Sequence, residues 1–225
     1  MKRFAILFVV LALAAGAMPP DSGVTGKVRV TGRTSGETVP TLVFAELLDG
    51  RQRPAPRRAK LTQKNKSFTP RVVAVPAGST VDFPNDDPIF HNVFSLSSPE
   101  PFDLGLYRAG ASKSRTFSEP ATYQVFCNIH PEMAAVLLVL PTSYVTETGA
   151  DGSYRLALPP GRYRVTAWSE RAEPASAEIT VGAGMTTLPD LTIDESKYVA
   201  LPHKNKYGQE YSAPRYDPLK DRRPQ

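Results

Sequence analysis

The run Phe126-Cys127-Asn128-Ile129-His130-Pro131-Glu132-Met133 sets a thiol, an imidazole and a thioether at a C-x-x-H-x-x-M spacing. One loop can therefore offer three ligand atoms to one metal ion. A second imidazole, His91, ends the turn-like run from Asn85 to Phe90 and opens the strand-like His91-Asn92-Val93-Phe94-Ser95. Two histidines, a cysteine and a methionine form a set that favours copper in an electron-transfer site. Soft thiolate holds Cu(I), imidazole suits both Cu(I) and Cu(II), and a distant thioether tunes the potential without imposing a rigid geometry. Such a site has little to rearrange when an electron moves.

Each residue also has a plainer account. A lone cysteine in a β protein is more often a small buried hydrophobe, and a methionine ahead of an apolar strand is more often core. Together these accounts fail. Beyond Met18 the chain has two methionines (Met133 and Met185), three histidines and one cysteine, and four of these six fall into one ligand pattern. Copper oxidases and copper nitrite reductases need further histidine-rich copper sites, and only His203 remains, in a polar stretch with no co-ligand in view. No enzymatic activity is expected. Asp151 could suggest calcium, but a lone Asp-Gly turn is the simpler account.

The compartment bears on the cysteine. Met1-Lys2-Arg3, the apolar run Phe4 to Ala15 and the small residues Ala15-Gly16-Ala17 have the layout of a secretory signal peptide spanning 1–17. The apolar run is too short for a mature membrane anchor, and no cysteine stands near the cleavage point to take a lipid. The expectation is an exported protein, periplasmic or secreted, with no stable membrane insertion after cleavage. In an oxidising compartment cysteines normally occur as disulfides, yet this chain has only Cys127. Such a thiol is buried and inert, exposed and oxidisable, or held by a metal. Without Lys2 and Arg3 the formal charge falls from +5 to about +3, which gives no reason to expect a nucleic-acid partner.

The elements that must position these residues read as strands. Between Val24 and Ile193 apolar and β-branched residues alternate in short runs, broken by Gly, Pro, Asn and Asp, and no window shows helical periodicity. The 22 prolines suit strand edges and turns better than helices. The expected fold class is all-β. Leu61 to Leu140 forms a coherent block that ends in the apolar strand Ala134 to Leu140. A second unit follows, in which Asp151-Gly152 turns into Tyr154-Arg155-Leu156-Ala157-Leu158 and Pro159-Pro160-Gly161 turns into Arg162 to Trp168. Arg51 to Lys66 carries seven basic residues and no acidic one, as an exposed loop does. It would suit docking of an acidic redox partner, although such a run is more often simply a solvated surface. Residues 195–225 are polar and short of aliphatics, a tail that is disordered or draped over the body.

The loop Cys127-Asn128-Ile129-His130-Pro131-Glu132-Met133 resembles the ligand loop of amicyanin, a plastocyanin-like blue copper protein of the cupredoxin family, including the proline after the histidine. His91-Asn92-Val93 is similar to that family's first-ligand segment. Asn65 to Pro70, Val75 to Val81 and Phe83-Pro84-Asn85 resemble exported bacterial proteins described as plastocyanin-like or methylamine-utilisation-like. Those proteins often have Gly before the cysteine and Asp-Trp between histidine and methionine, where this chain has Phe126 and Pro131-Glu132. The resemblance implies a Greek-key β-sandwich over 59–141 holding one copper ion, Cu2+/Cu+. His91, Cys127 and His130 would be the strong ligands and Met133 the long axial one. Asn92 would tie the two ligand segments together, His130 would be the electron port, and Ile129 and Pro131 its apolar rim. The implied role is a one-electron carrier, with copper trafficking through the same ligands as the alternative.

Thr148 to Tyr154 together with Pro159 to Tyr163 resembles the carboxypeptidase regulatory-like (transthyretin-like) β-sandwich. The opening strand and turn of that module are missing after Leu140. Something similar stands at Gly26-Lys27-Val28-Arg29-Val30 and Gly36-Glu37-Thr38-Val39-Pro40. The expectation is one discontinuous sandwich built from 24–48 and 144–193, because the later half alone is too small for a comfortable core.

Overall fold

The computed structural model describes residues 22–33, 39–200 and 203–211. The expected leader over 1–17, the residues Gly36-Glu37-Thr38 and the chain beyond Tyr211 lie outside the described residues. Among the described residues the fold is all-β. The strands are β1 (Gly23–Thr31), β2 (Leu42–Leu47), β3 (Arg58–Lys60), β4 (Thr62–Lys64), β5 (Ser67–Thr69) and β6 (Val72–Pro76). They continue as β7 (Ser79–Pro84), β8 (His91–Ser95), β9 (Phe102–Tyr107), β10 (Ser112–Phe117), β11 (Ala121–Phe126) and β12 (Ala134–Leu140). The last are β13 (Val145–Glu147), β14 (Ser153–Ala157), β15 (Gly161–Ser169), β16 (Ala172–Val181), β17 (Met185–Thr187) and β18 (Leu191–Asp194).

A five-stranded sheet in the order β6-β12-β11-β8-β9 and a three-stranded sheet in the order β10-β7-β3 share one apolar core. The alternation in β7 shows how: Ser79, Val81 and Phe83 point inward while Thr80, Asp82 and Pro84 are partly exposed. Val81 and Phe83 meet Val75, Phe117, Tyr123 and Leu137 there.

β1, β2, β14, β15, β16 and β18 build a second core from both ends of the described chain. β1 runs antiparallel to β14, with Val24 opposite Leu156, and parallel to β18, with Val28 opposite Leu191. β2 runs antiparallel to β15, with Ala45 opposite Val165. Val24, Val28, Val43 and Ala45 are thereby buried among Tyr154, Leu156, Tyr163 and Val165. The Asp151-Gly152 turn fits against β1 only without a side chain. Gly152 has φ +81°, and a Cβ there would stand 2.3 Å from the Val28 carbonyl oxygen.

The unbroken apolar run Ala134-Ala135-Val136-Leu137-Leu138-Val139-Leu140 has its reason in the packing. Ala135, Leu137 and Val139 enter the first core, while Val136, Leu138 and Leu140 enter a third cluster with Leu42, Val72 and Trp168. β12 also pairs in parallel with β6, and a strand covered on both faces reads as continuous rather than alternating hydrophobicity.

The exposed loop expected over Arg51 to Lys66 needs correction beyond Arg57. β3 and β4 occupy that stretch, and Leu61 and Gln63 are wholly buried. The cations remain at the surface while the backbone pairs: Arg58 donates through Nε and Nη2 to both carboxylate oxygens of Asp82, and β3 runs parallel to β7.

Leu138→Ala would open a cavity in the cluster that joins the two cores. Denaturant unfolding followed by the fluorescence of Trp168, the chain's one tryptophan, is expected to show a loss of about 2–5 kcal/mol.

Candidate metal centre

Three of the four sequence-derived ligands sit at strand ends. His91 opens β8, Cys127 follows β11, and Met133 immediately precedes β12, so only the turn holding His130 is free of strand pairing. The antiparallel register of β11 on β12, with Phe126 opposite Ala134, brings the two ends of that turn together. The Cys127 N–H donates to the Met133 carbonyl and the Met133 N–H to the His130 carbonyl. Phe126 also pairs with Phe94 of β8, which brings the loop beside His91.

The donor atoms converge. The Nδ1 atoms of His91 and His130 are 3.1 Å apart, and the Cys127 Sγ lies 3.8 Å from the first and 3.7 Å from the second. All ligand atoms of these three residues fall within 4.8 Å of one another. His91, Cys127 and Met133 are wholly buried, and Met133 lies in the same apolar cluster as Cys127. His130 is only partly buried. Cys127 is a free thiol.

His91 is oriented by Asp87, a residue of the turn that precedes it. Its Nε2 lies 2.7 Å from an oxygen of the buried Asp87 carboxylate. Burial pushes the Asp87 carboxyl up, but hydrogen bonds from the Lys66 amide, the His91 ring and the Asn65 amide together outweigh it and hold the group below its ordinary value. An ionised carboxylate only accepts hydrogen bonds. It therefore accepts a hydrogen bond from the His91 Nε2–H, and Nδ1 is the ring nitrogen that faces Cys127 and His130. Burial, and next the proximity of His91, hold the His130 imidazole below its usual range, which favours its neutral, ligating form.

The carboxylate is held by a two-residue hairpin. Asn65 and Lys66, between β4 and β5, have φ +54° and +52°, the backbone of a type I′ turn. Both of their N–H groups donate to Asp87, Lys66 at 2.8 Å. Asn85 fixes the other side of the loop. Its amide donates to the Ile89 and Tyr107 carbonyls and its Oδ1 accepts from the Asp87 N–H. A carboxylate four residues before a candidate histidine ligand was the available signal for Asp87. The turn residues Asn85 and Pro88 around it supplied an ordinary explanation that hid it.

Asn92 lies beside the ligand turn. Its Oδ1 accepts from the Asn128 N–H at 3.3 Å and its Nδ2 donates to Asp103 at 2.6 Å. Ile129 and Pro131 are exposed, as are Ile89 and Phe90. His203 is outside the converging set, but its ring stacks on Phe126 with centroids 3.8 Å apart. Asp151 forms its own turn, accepting from the Ser153 N–H and hydroxyl.

The donor set fits copper. A wholly buried thiol, two facing imidazole nitrogens and a buried thioether are the soft and borderline ligands that suit both copper oxidation states.

A model of the carboxypeptidase regulatory-like domain matches residues 131–194. That span begins in the ligand turn, takes in β12 through β18, and leaves out β1 and β2. Among solved structures the chain is similar to the copper-containing nitrite reductase from Thermus scotoductus SA-01, at 29% identity over 40% of this chain and 23% of that one, with a TM-score of 0.36. It thus spans less than a quarter of that reductase. It is also similar to a purple cupredoxin from Nitrosopumilus maritimus (22% identity, 36% of this chain and 99% of that one, TM-score 0.34). A third is amicyanin from Paracoccus versutus (20% identity, 43% of this chain and 97% of that one, TM-score 0.35).

Proposed function

We propose that this chain is an exported type 1 copper protein that carries single electrons, with one ion held by His91, Cys127, His130 and Met133. The observation that carries the reading is the convergence of the Cys127 Sγ on two imidazole Nδ1 atoms that are themselves 3.1 Å apart. Two facing ring nitrogens need a shared proton or a shared cation, and a thiol at equal distance from both selects a soft cation. When bound, copper supplies the one-electron couple between Cu(II) and Cu(I).

The protein's part is to keep the donors in place. Asp87 fixes the proton of His91 on Nε2, and the strand ends beside Cys127 and Met133 hold the thiolate and thioether within the first core. That rigidity limits rearrangement when the charge changes. His130, less buried than the other three ligands, is the edge through which an electron passes, with Ile129 and Pro131 beside it. The reading is a carrier rather than an enzyme, since the donor group is buried and only its His130 ligand lies partly toward solvent.

Export, to the periplasm or the medium, rests on the leader-like residues 1–17. Among the described residues no helix is long and apolar enough to cross a membrane. The exposed cations of 51–66 would steer an acidic redox partner toward the protein. The copper-binding unit is read as 59–141, inserted between 24–48 and 144–193. The pairing of β1 with β14 and of β2 with β15 supports that division.

Adding Cu(II) to the purified protein is expected to produce an intense visible thiolate-to-copper band and a narrow EPR hyperfine splitting. A colourless complex would remove the type 1 assignment. Cys127→Ser should abolish the band. Reversible voltammetry with slow surrender of Cu(I) to a chelator would match a carrier, whereas rapid surrender would point to trafficking.

Asp87→Asn removes the charge that fixes the His91 tautomer. Chelator competition should show copper affinity reduced about 10- to 100-fold, with the thiolate band still present because all four ligands remain.

A further inference from the structure

The chain after β18 does not trail away from the metal centre but returns to it. Its departure is anchored by Glu195, a buried carboxylate that accepts from Arg33 Nε and Nη2 at 2.8 and 2.9 Å and from the Ser169 hydroxyl at 2.7 Å. Tyr198 then lies under the Arg171 guanidinium, 5.1 Å from ring centroid to cation. Residues 205–209 form a compact turn, in which Asn205 and Gln209 bond through their backbones and the Asn205 Oδ1 accepts from the Tyr207 and Gln209 amides.

One side of this segment meets the ligand turn at successive backbone and side-chain acceptors. The Tyr211 hydroxyl donates to the Cys127 carbonyl at 3.0 Å, and the Lys206 N–H donates to the Asn128 Oδ1 at 2.9 Å. His203 Nε2 lies 2.6 Å from the Pro131 carbonyl oxygen, so it carries the proton in that bond. The His203 ring stacks on Phe126 at an interplanar angle of 12°, and the Tyr211 ring meets His203 edge-on. Lys206 Nζ reaches the Asp103 carboxylate at 2.7 Å, the same group that receives the Asn92 amide.

The ligand turn is therefore bonded from two sides. From the body, Asn92 holds the Asn128 N–H, and Met133 and His130 close the turn on itself. From the tail, three acceptors of the turn are each given a donor. Phe126 and Pro131, two of the positions where this chain departs from the exported plastocyanin-like pattern, are the ones His203 touches. A side chain with an aromatic face is required at 126 for the stack, and glycine would offer none.

We infer that His203, Lys206 and Tyr211 are positioning residues that strap the ligand turn 127–133, so that the C-terminal segment is a working part of the metal centre. They donate nothing to the metal. They restrict the turn that carries Cys127, His130 and Met133, and so govern how readily it opens to release an ion. This inference rests on the copper reading for its consequence but not for its geometry, and the two can fail separately.

The test uses the full chain with His203→Ala and Tyr211→Phe combined. His203→Phe serves as the variant that keeps the stack and removes the bond to Pro131. In metal-free protein, hydrogen exchange of the peptide spanning 126–134 should be faster in the double variant, with the β1, β7 and β15 peptides unchanged. In copper-loaded protein, capture of Cu(I) by a chelator should be at least about tenfold faster, the scale expected from losing two or more hydrogen bonds in the closed state. The thiolate-to-copper band should broaden. Restored protection in His203→Phe with Tyr211 intact would assign most of the strap to the stack. Equal exchange of 126–134 in parent and double variant would overturn the strap even if the protein is blue. Altered exchange in a protein that never turns blue would uphold the strap and remove the copper reading.

Discussion

Covering β12 on both faces is the constraint from which most of the molecule's organisation follows. A strand in a two-layer sandwich normally shows one face to water and alternates accordingly. β12 instead has odd residues in the core beneath the metal centre and even residues against Leu42 and Trp168 of the neighbouring sheet. The same strand begins one residue after Met133. The thioether, the thiolate turn and the junction between the two cores are thus attached to a single rigid element, which has no exposed face along which it could shift register.

A second consequence concerns the histidines. An imidazole can present either nitrogen to a metal, and the choice depends on what the other nitrogen meets. For His91 the answer is the Asp87 carboxylate, itself held by consecutive amides of a tight hairpin at Asn65 and Lys66. Left-handed backbone at two non-glycine residues is uncommon, and here it aims both N–H groups at one buried anion. The hairpin, the carboxylate and the ring form a chain of hydrogen bonds running from the protein surface to the donor cluster. His130 has no comparable anchor among the described contacts and lies nearer solvent, consistent with a division between one fixed ligand and one at the edge of the site.

The tail changes the picture of the centre's outer side. A polar, proline-containing segment with few aliphatics has little apolar surface to bury, so composition alone suggests disorder. Over 203–211 it is held by hydrogen bonds to acceptors of the ligand turn and by one stacked ring. It starts from the Arg33 and Glu195 pair beside the second core and ends on the first. The two cores are consequently linked through this segment as well as through β12.

How much of this was legible in the sequence differs from feature to feature. The all-β class could be read directly, because period-two alternation and strand-breaking residues are local signals. Cys127, His130 and Met133 stood out because one loop carries all three and their residue types are scarce in this chain. The unbroken run at 134–140 announced a buried strand without saying what covered its second face. Asp87, the Asn65-Lys66 turn and His203 were visible only as ordinary turn and tail residues, since hydrogen bonds between positions 21, 22 or 72 residues apart leave no periodicity behind. Alone, the sequence determined which residue types could ligate a metal and which segments would extend into strands, since both depend on side-chain chemistry and near neighbours. Tertiary structure decided which nitrogen of His91 faces the thiol, what lies on either side of β12, and that the tail returns to the ligand turn, because each depends on which distant backbone groups are brought within hydrogen-bonding or packing distance.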